Sequence, residues 1–397
     1  MKAITKTIWI LSLISLFTDI ASEMLYPVMP IYLRSIGFSI VLIGVLEGFA
    51  EAIAGFSKGY FGKLSDNLGQ RVPFVRWGYL LSAVSKPMMA IFTYPLWIFS
   101  ARTMDRIGKG IRTGARDAML SDEATPATKG TVFGFHRSMD TLGAVIGPVS
   151  ALLFLYFYPR NYATLFYIAF IPGIIAVVFC FLLKDKNPRP KEMIVKTKFL
   201  DFIKYWRYSS PAYRKLLIGL LVFTLINSSD VFLLLKMKES GLGDIQSIGA
   251  YIFYNLVYAL FAYPLGVLAD RFGLKKIFIA GLFLFAVTYF GMAWNKNTYI
   301  FFLLFFLYGV FAAATEGIAK AWITNISQKK DTATAIGTFT SFQSICTMIA
   351  SSMAGLIWFK FGATRTFLIS ASVTIIVIIY MFFLKAKNLK GSETNQQ

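Results

Sequence analysis

Seven formal charges fall in the stretch Ala101 to Met119, within a chain otherwise dominated by apolar runs long enough to cross a bilayer. At about 100° per residue, Arg102, Asp105, Arg106, Lys109, Arg112, Arg116 and Asp117 share an arc of roughly 140°, while Ile98, Ala101, Met104, Ile107, Ile111 and Ala115 lie largely elsewhere. The stretch reads as a helix with one charged face. Ionisable groups at membrane depth are costly, so they turn to a bundle interior or a wet cavity and pair there. The segment predicts a helix that lines a solvated path.

The surrounding composition supports a membrane setting. Hydrophobic residues make up 56% of the chain and mean hydropathy is +0.62, above the roughly 45–50% apolar content of soluble domains. The net charge of +20 does not point to nucleic acid, because the basic residues recur between apolar runs instead of gathering on one face. They read as topology signals, and the lipid bilayer is the expected environment. Cys180 and Cys346 each sit in an apolar run, which predicts buried structural thiols and neither a disulfide framework nor a metal site. No cofactor is expected. The basic N-terminus runs on past Asp19 towards Tyr32 without a small-residue cleavage site, so it reads as a retained first span.

Hydrophobic periodicity predicts twelve helices, over 7–33, 39–62, 73–93, 96–118, 130–157, 163–184, 213–237, 246–268, 276–294, 298–324, 332–359 and 365–385. Most exceed the roughly 20 residues a span requires. The expected fold is an all-α membrane protein with two pseudo-symmetric six-helix bundles, 1–184 and 213–397, joined by a cytoplasmic linker, 185–212. From Lys184 to Lys215 there are ten basic residues against three acids, which places this connection, and with it both termini, in the cytoplasm. Within it, KFLDFIKYWRY alternates apolar and basic residues as a helix at headgroup level would.

An internal repeat supports the division. Gly62, Leu64, Asp66, Gly69 and Arg71 recur at an offset of 204 as Gly266, Leu268, Asp270, Gly273 and Lys275, with Arg271 beside the second aspartate. The glycines predict a tight turn between spans. Each Asp is placed to accept from a helix N-terminus or a basic side chain, locking one conformation. Asn67 and Gln70 stand where basic residues are expected, which predicts a weaker first clamp. These residues resemble the loop signature of the major facilitator superfamily (MFS) of secondary transporters, and the resemblance covers essentially the whole chain. It implies the twelve-helix fold and alternating access. Gly134, Gly143, Gly147 and Pro148 are similar to the G-x8-G-x3-G-P motif of the antiporter branch, although the two glycines often found after the proline are absent. SLFTDIASEMLYP, DRIGKGIRTGARDAM and FGFHRSMDTLGAVIGP resemble a prokaryotic subgroup.

The remaining intramembrane charges gather in the first half. Asp19 and Glu23 lie one turn apart; Glu47, Glu51 and Lys58 share a face; Lys86, His136, Arg137 and Asp140 follow. Their balance is zero with His136 neutral, so mutual pairing explains their burial better than a standing positive cavity. The expected cavity and coupling residues are Asp19, Glu23, Glu47, Glu51, Arg102, Asp105, Arg106, Lys109, His136, Arg137, Asp140, Asp230 and Glu316. Asp19 and Glu23 are expected to pair with Arg102 and Arg106 near mid-membrane. Lys86 reads as snorkelling or structural, and Arg112, Arg116 and Asp117 as a gate or a clamp on Asp66. Tyr251, Phe253, Tyr254, Tyr258, Phe311 and Trp322 read as packing. One histidine, separated cysteines and no phosphate loop leave no enzyme constellation. The expected activity is proton-coupled antiport exporting a small organic or drug-like solute, by a monomer in the inner membrane. Proton symport of an organic, possibly anionic, metabolite and a non-transporting sensor are the alternatives.

Overall fold

The structure is a computed structural model that describes residues 3–186 and 197–384. Residues 187–196 of the linker and the tail beyond 384 lie outside the described residues. The regular elements described are all helical. In the first half they are α1 (Lys6–Leu25), α2 (Met29–Ser35), α3 (Ile40–Leu68), α4 (Val72–Ile91), α5 (Pro95–Glu123), α6 (Lys129–Phe157) and α7 (Tyr162–Cys180). In the second half α8 (Tyr205–Tyr208), α9 (Pro211–Thr224), α10 (Val231–Glu239), α11 (Asp244–Phe272), α12 (Leu274–Trp294), α13 (Thr298–Ile326) and α14 (Thr332–Phe383) follow. Start signals are local. Thr5, Ser39 and Ser210 accept from backbone N–H groups three residues on, and Pro95 and Pro211 open α5 and α9.

Two predicted spans are interrupted, and a third break falls between two predicted spans. The first divides into α1 and α2 around Pro27, and α14 covers two predicted helices with a break at Gly362, whose φ of 82° is open to glycine without a side-chain penalty. The second interruption parts α9 from α10 over 225–230. There the freed backbone is met by side chains: Ser370 Oγ donates to the Ile226 carbonyl at 3.1 Å, and Ser351 Oγ accepts from Ser229 N–H at 3.2 Å. Non-helical backbone at membrane depth needs such partners and occurs where a cavity is lined. Among the described residues, seven helices are long and apolar enough to cross a membrane.

Apolar side chains form two clusters within the first half and one within the second, the first including only Ala321 and Leu274 from beyond its half. Contact between the halves is concentrated where α6 meets α11 and α3 meets α14. Glycine makes both crossings possible. A Cβ on Gly62 would stand 2.5 Å from the Ala333 carbonyl oxygen, and one on Gly134 2.5 Å from that of Ala262. This corrects the expected turn role of Gly62 and Gly266: both lie inside helices, and their value is close approach. The turns are made by Gly69 and Gly273, at φ 63° and 104°.

The segment 198–208 also differs from expectation. It forms a single 3₁₀ turn, Asp201–Lys204, and the short α8. Phe202 and Tyr205 are buried, with the Phe202 ring over Gly59 of α3 and its carbonyl accepting from Thr338 Oγ1 of α14 at 3.2 Å. Tyr205 stacks edge-on against Tyr213 of α9. One face of the segment is thus docked across the α3 and α14 crossing, as a strap.

Candidate charged cavity and helix clamps

Asp66 and Asp270 occupy equivalent places at the end of the molecule that bears the repeat. Asp66, on α3, accepts from Thr334 N–H and Thr334 Oγ1, each at 2.6 Å, and pairs with Arg71 at 2.6 Å. Asp270, on α11, accepts from Gly130 N–H at 2.7 Å and Thr131 N–H at 2.6 Å. Each carboxylate therefore caps the N-terminus of a helix from the other half, α14 or α6, where unsatisfied N–H groups and the helix dipole favour an anion. The first clamp is the more heavily bonded of the two. Asn67 turns away from it to donate to Thr197, and the Gln70 backbone carbonyl accepts from Ser65 Oγ. Arg271 stacks on Phe272 instead of joining the clamp.

Behind the clamps a cavity of about 400 Å³ lies between the halves, with a lobe of about 60 Å³ reaching between α1, α4 and α5. The charged face of α5 forms much of the wall, and its small residues explain why. A Cβ on Gly108 would stand 2.6 Å from the Gly78 carbonyl oxygen of α4, and one on Gly114 3.0 Å from Gly62 Cα of α3. With those faces pressed onto α3 and α4, the arginines and lysines turn inward. Gly143 and Gly147 act alike on α6, bringing α1 so close that added Cβ atoms would meet the Leu16 carbonyl oxygen at 2.6 Å and Met24 N at 2.7 Å. That approach sets Asp19 and Glu23 on the cavity wall.

Pairing inside the cavity links the halves. Asp140 accepts from Ser15 Oγ at 2.6 Å and from Arg137 Nη1 at 2.7 Å. Arg137 also pairs with Glu316 of α13 and donates to Tyr258 Oη of α11. Asp117 is held by Arg116 at 2.9 Å and by Lys320 of α13 at 2.8 Å. On the far wall Asp230, placed by the break between α9 and α10, accepts from Tyr254 and Tyr308 hydroxyls, each at 2.6 Å.

With this geometry in place, comparison with known proteins is informative. The family model for the Major Facilitator Superfamily matches residues 11–253 and 241–397. An uncharacterized MFS-type transporter of Methanocaldococcus jannaschii is 32% identical over 390 residues, 96% of each chain. The chain belongs to the Major Facilitator Superfamily. Its fold is that of the family: the E. coli fucose:proton symporter FucP superposes with a TM-score of 0.77 at 12% identity, over 97% of this chain and 100% of that one. A human organic anion transporter superposes at 0.76 with 16% identity, over 94% and 98%. A multi-drug resistance efflux pump PmrA homolog of Lactococcus lactis is 21% identical over 93% of this chain and 92% of its own. The protein is a secondary active transporter, not an enzyme. It is a multi-pass membrane protein that moves a small molecule by alternating access.

The transporter's charge map corrects several expectations. Arg102 does not pair with Asp19 or Glu23; it donates through Nε and Nη2 to both Glu47 oxygens, at 2.9 and 2.8 Å. Arg106 reaches Glu47 at 3.6 Å and Glu51 at 4.0 Å, and Lys58 reaches Glu51 at 3.9 Å. Glu47 and Glu51 therefore hold bases instead of lining the cavity. Lys86 does not snorkel; it is 3% exposed and pairs with Asp105 at 2.7 Å. Arg112, Arg116 and Asp117 make no contact with Asp66: Arg112 donates to Ser82 at 2.6 Å and lies over the Tyr79 ring. His136 is buried off the main cavity, with Nε2 lacking a hydrogen-bond partner among the described residues. Tyr251, Tyr254, Tyr258 and Phe311 line the cavity, whereas Trp322 packs on Phe278 and Phe253 on Phe302, as expected of packing. Lys58, Arg112, Arg116, Lys320 and Tyr308 are wall residues outside the expected cavity set. Spacing held a signal for one of them, since Lys320 lies one turn beyond Glu316.

Proposed function

We propose that this transporter is proton-coupled and crosses the bilayer twelve times, in two six-helix halves, 1–184 and 213–397, with the 185–212 connection and both termini cytoplasmic. In this reading the clamped end faces the cytoplasm, and the structure represents the outward-facing state. The observation that carries proton coupling is the environment of Asp19 and Glu23. Both line the cavity, and among the described residues neither has a basic partner within 4 Å. Asp19 and Asp140 line the same cavity. Two carboxylates sharing a site repel, and a proton between them relieves that repulsion.

Asp140 then supplies the link to conformation. Its partner Arg137 is shared with Glu316 and Tyr258 of the other half. A proton gained near Asp140 weakens its hold on Arg137, and that change alters a contact between the halves that must break when they rock. Antiport with export is supported by the α6 glycine motif and by the PmrA relative, whose name describes a multi-drug resistance efflux pump. A second reading, proton symport, is favoured by Lys109 and Arg112, which have no carboxylate within 4 Å among the described residues.

The test is solute movement in proteoliposomes under an imposed pH gradient, then under its reverse. Accumulation against the proton gradient supports antiport, and accumulation with it supports symport. Flux indifferent to both gradients refutes proton coupling.

A further inference from the structure

The pairing pattern of the cavity's bases points to the class of solute, an inference that rests on the proton-coupled reading above. Nine basic side chains line the main cavity and its lobe. Seven of them have a carboxylate within 4.0 Å. Lys109 and Arg112 do not. They lie one turn apart on the inward face of α5, so their heads are neighbours, and both line the cavity and the lobe. Lys109 is exposed, deep in the protein, to the cavity itself. Arg112 uses one nitrogen on Ser82 and one ring face on Tyr79, which leaves the remaining edge of its guanidinium fork without a carboxylate.

Charge in the lobe argues in the same direction. Five bases line it against Asp19, Glu23 and Asp105, and Asp105 is already engaged by Lys86. With Glu47 and Glu51 counted through their contacts with Arg102 and Arg106, bases and acids balance while Asp19 and Glu23 are ionised. The lobe carries excess positive charge when either Asp19 or Glu23 is neutral, and in that state it favours an anion over a cation. Glu23 faces Lys109 and Arg106 from α5, Asp140 and Arg137 from α6, Tyr251 from α11, and Asp19 and Tyr26 on or beside its own helix. Across the cavity, Tyr251, Tyr254 and Tyr258 stand at helical spacing on one face of α11, with Phe311 beside them. Such a surface offers ring faces to a planar solute, and the volume is in the range of small-molecule sites, about 300–1,000 Å³.

We propose that the site takes a ring-bearing organic carboxylate, with its carboxylate on Lys109 and Arg112 and its ring against the α11 tyrosines, and that Glu23 carries a proton while the anion is bound. Ionised Glu23 is the internal competitor for Lys109. Anion and proton then bind together, which sets the coupling to symport.

Three probes that share a phenol ring and a two-carbon arm test this: 4-hydroxyphenylacetate, tyramine and tyrosol, carrying a carboxylate, an ammonium and a hydroxyl. Binding to the full-length protein in nanodiscs is followed by thermal stabilisation at pH 6 and pH 8. The probe carboxylate is ionised at both pH values, since carboxylates titrate near pH 4. The carboxylate alone should stabilise the protein, more strongly at pH 6. Lys109→Gln should weaken its binding tenfold or more, Lys109→Arg should retain it, and Glu23→Gln should give the pH 6 affinity at both pH values. Stabilisation by tyramine in preference, by none of the three, or by the carboxylate regardless of Lys109→Gln overturns the proposal. Proteoliposome flux separates this failure from that of the coupling reading. Gradient-driven uptake of tyramine would defeat the anion site and leave proton coupling standing, whereas carboxylate binding without gradient-driven flux would do the reverse.

Discussion

Asp66 and Asp270 show how much a single side chain can govern when its partners belong to the other half of the molecule. A carboxylate on helix N–H groups makes charge-assisted hydrogen bonds worth about 1.5–3 kcal/mol each to stability. Asp66→Asn keeps one acceptor oxygen and loses the charge that meets Arg71 and the α14 N-terminus. It should therefore slow turnover by roughly tenfold or more, the rate equivalent of about 1.4 kcal/mol, while solute affinity stays within about twofold. Steady-state transport kinetics would show this split, and weakened affinity at unchanged turnover would place Asp66 in the binding site. On the cavity wall, Asp19→Asn or Glu23→Gln should abolish proton-driven accumulation and leave equilibrative exchange; normal accumulation in both variants would make these carboxyls structural. The clamps were legible in the sequence because the repeat announces them twice. The pairs Arg137 with Glu316 and Lys320 with Asp117 were not, because they join helices about 180 residues or more apart and nothing local says which faces meet. The expected match of Arg102 with Asp19 failed for that reason: Glu47 of α3 was an equally plausible carboxylate by depth, and only packing decides.

Helices were easier to read than their interruptions. Long apolar runs located the elements to within a few residues, but the breaks around Pro27 and over 225–230 are short, and periodicity alone passes across them. The second break matters most, since it delivers Asp230 to the tyrosine pair. The α11 tyrosines at 251, 254 and 258 share one face by their spacing, which was visible; that this face meets a cavity and not lipid was not. Glycine in α3 and α11 was read as turn chemistry where it serves close approach, a distinction that depends on a partner helix, whereas the α6 glycines were read as close-approach residues and act so. The strap carries an element-scale prediction. Phe202 is 1% exposed over Gly59, and emptying such a site costs about 3–5 kcal/mol in a packed core. Phe202→Ala should weaken the clamped state selectively, so a cysteine at Thr125 becomes more reactive to a bulky maleimide. Unchanged reactivity with an unaltered thermal midpoint would show that the strap does not restrain this end.

For the whole molecule, composition and the spacing of basic residues indicated a multi-pass bundle, and the resemblance supplied the family. The proposed two-half arrangement has a direct topological consequence. Cysteines introduced at Lys186 and Asn161 should label from opposite faces of the membrane, and labelling from one face would overturn the proposed twelve-span order. In the proposed cycle, the end clamped by Asp66 and Asp270 opens as the other end closes. Spin labels test it most directly, in nanodiscs, with one pair at Thr125 and Lys329 across the clamped end and another at Leu96 and Tyr299, 81% and 85% exposed, across the opposite end. Combining Asp66→Asn with Asp270→Asn should move the first distance distribution to longer values and the second to shorter ones together. If the first pair lengthens while the second stays fixed, or if neither moves, the clamps do not govern an alternating transition.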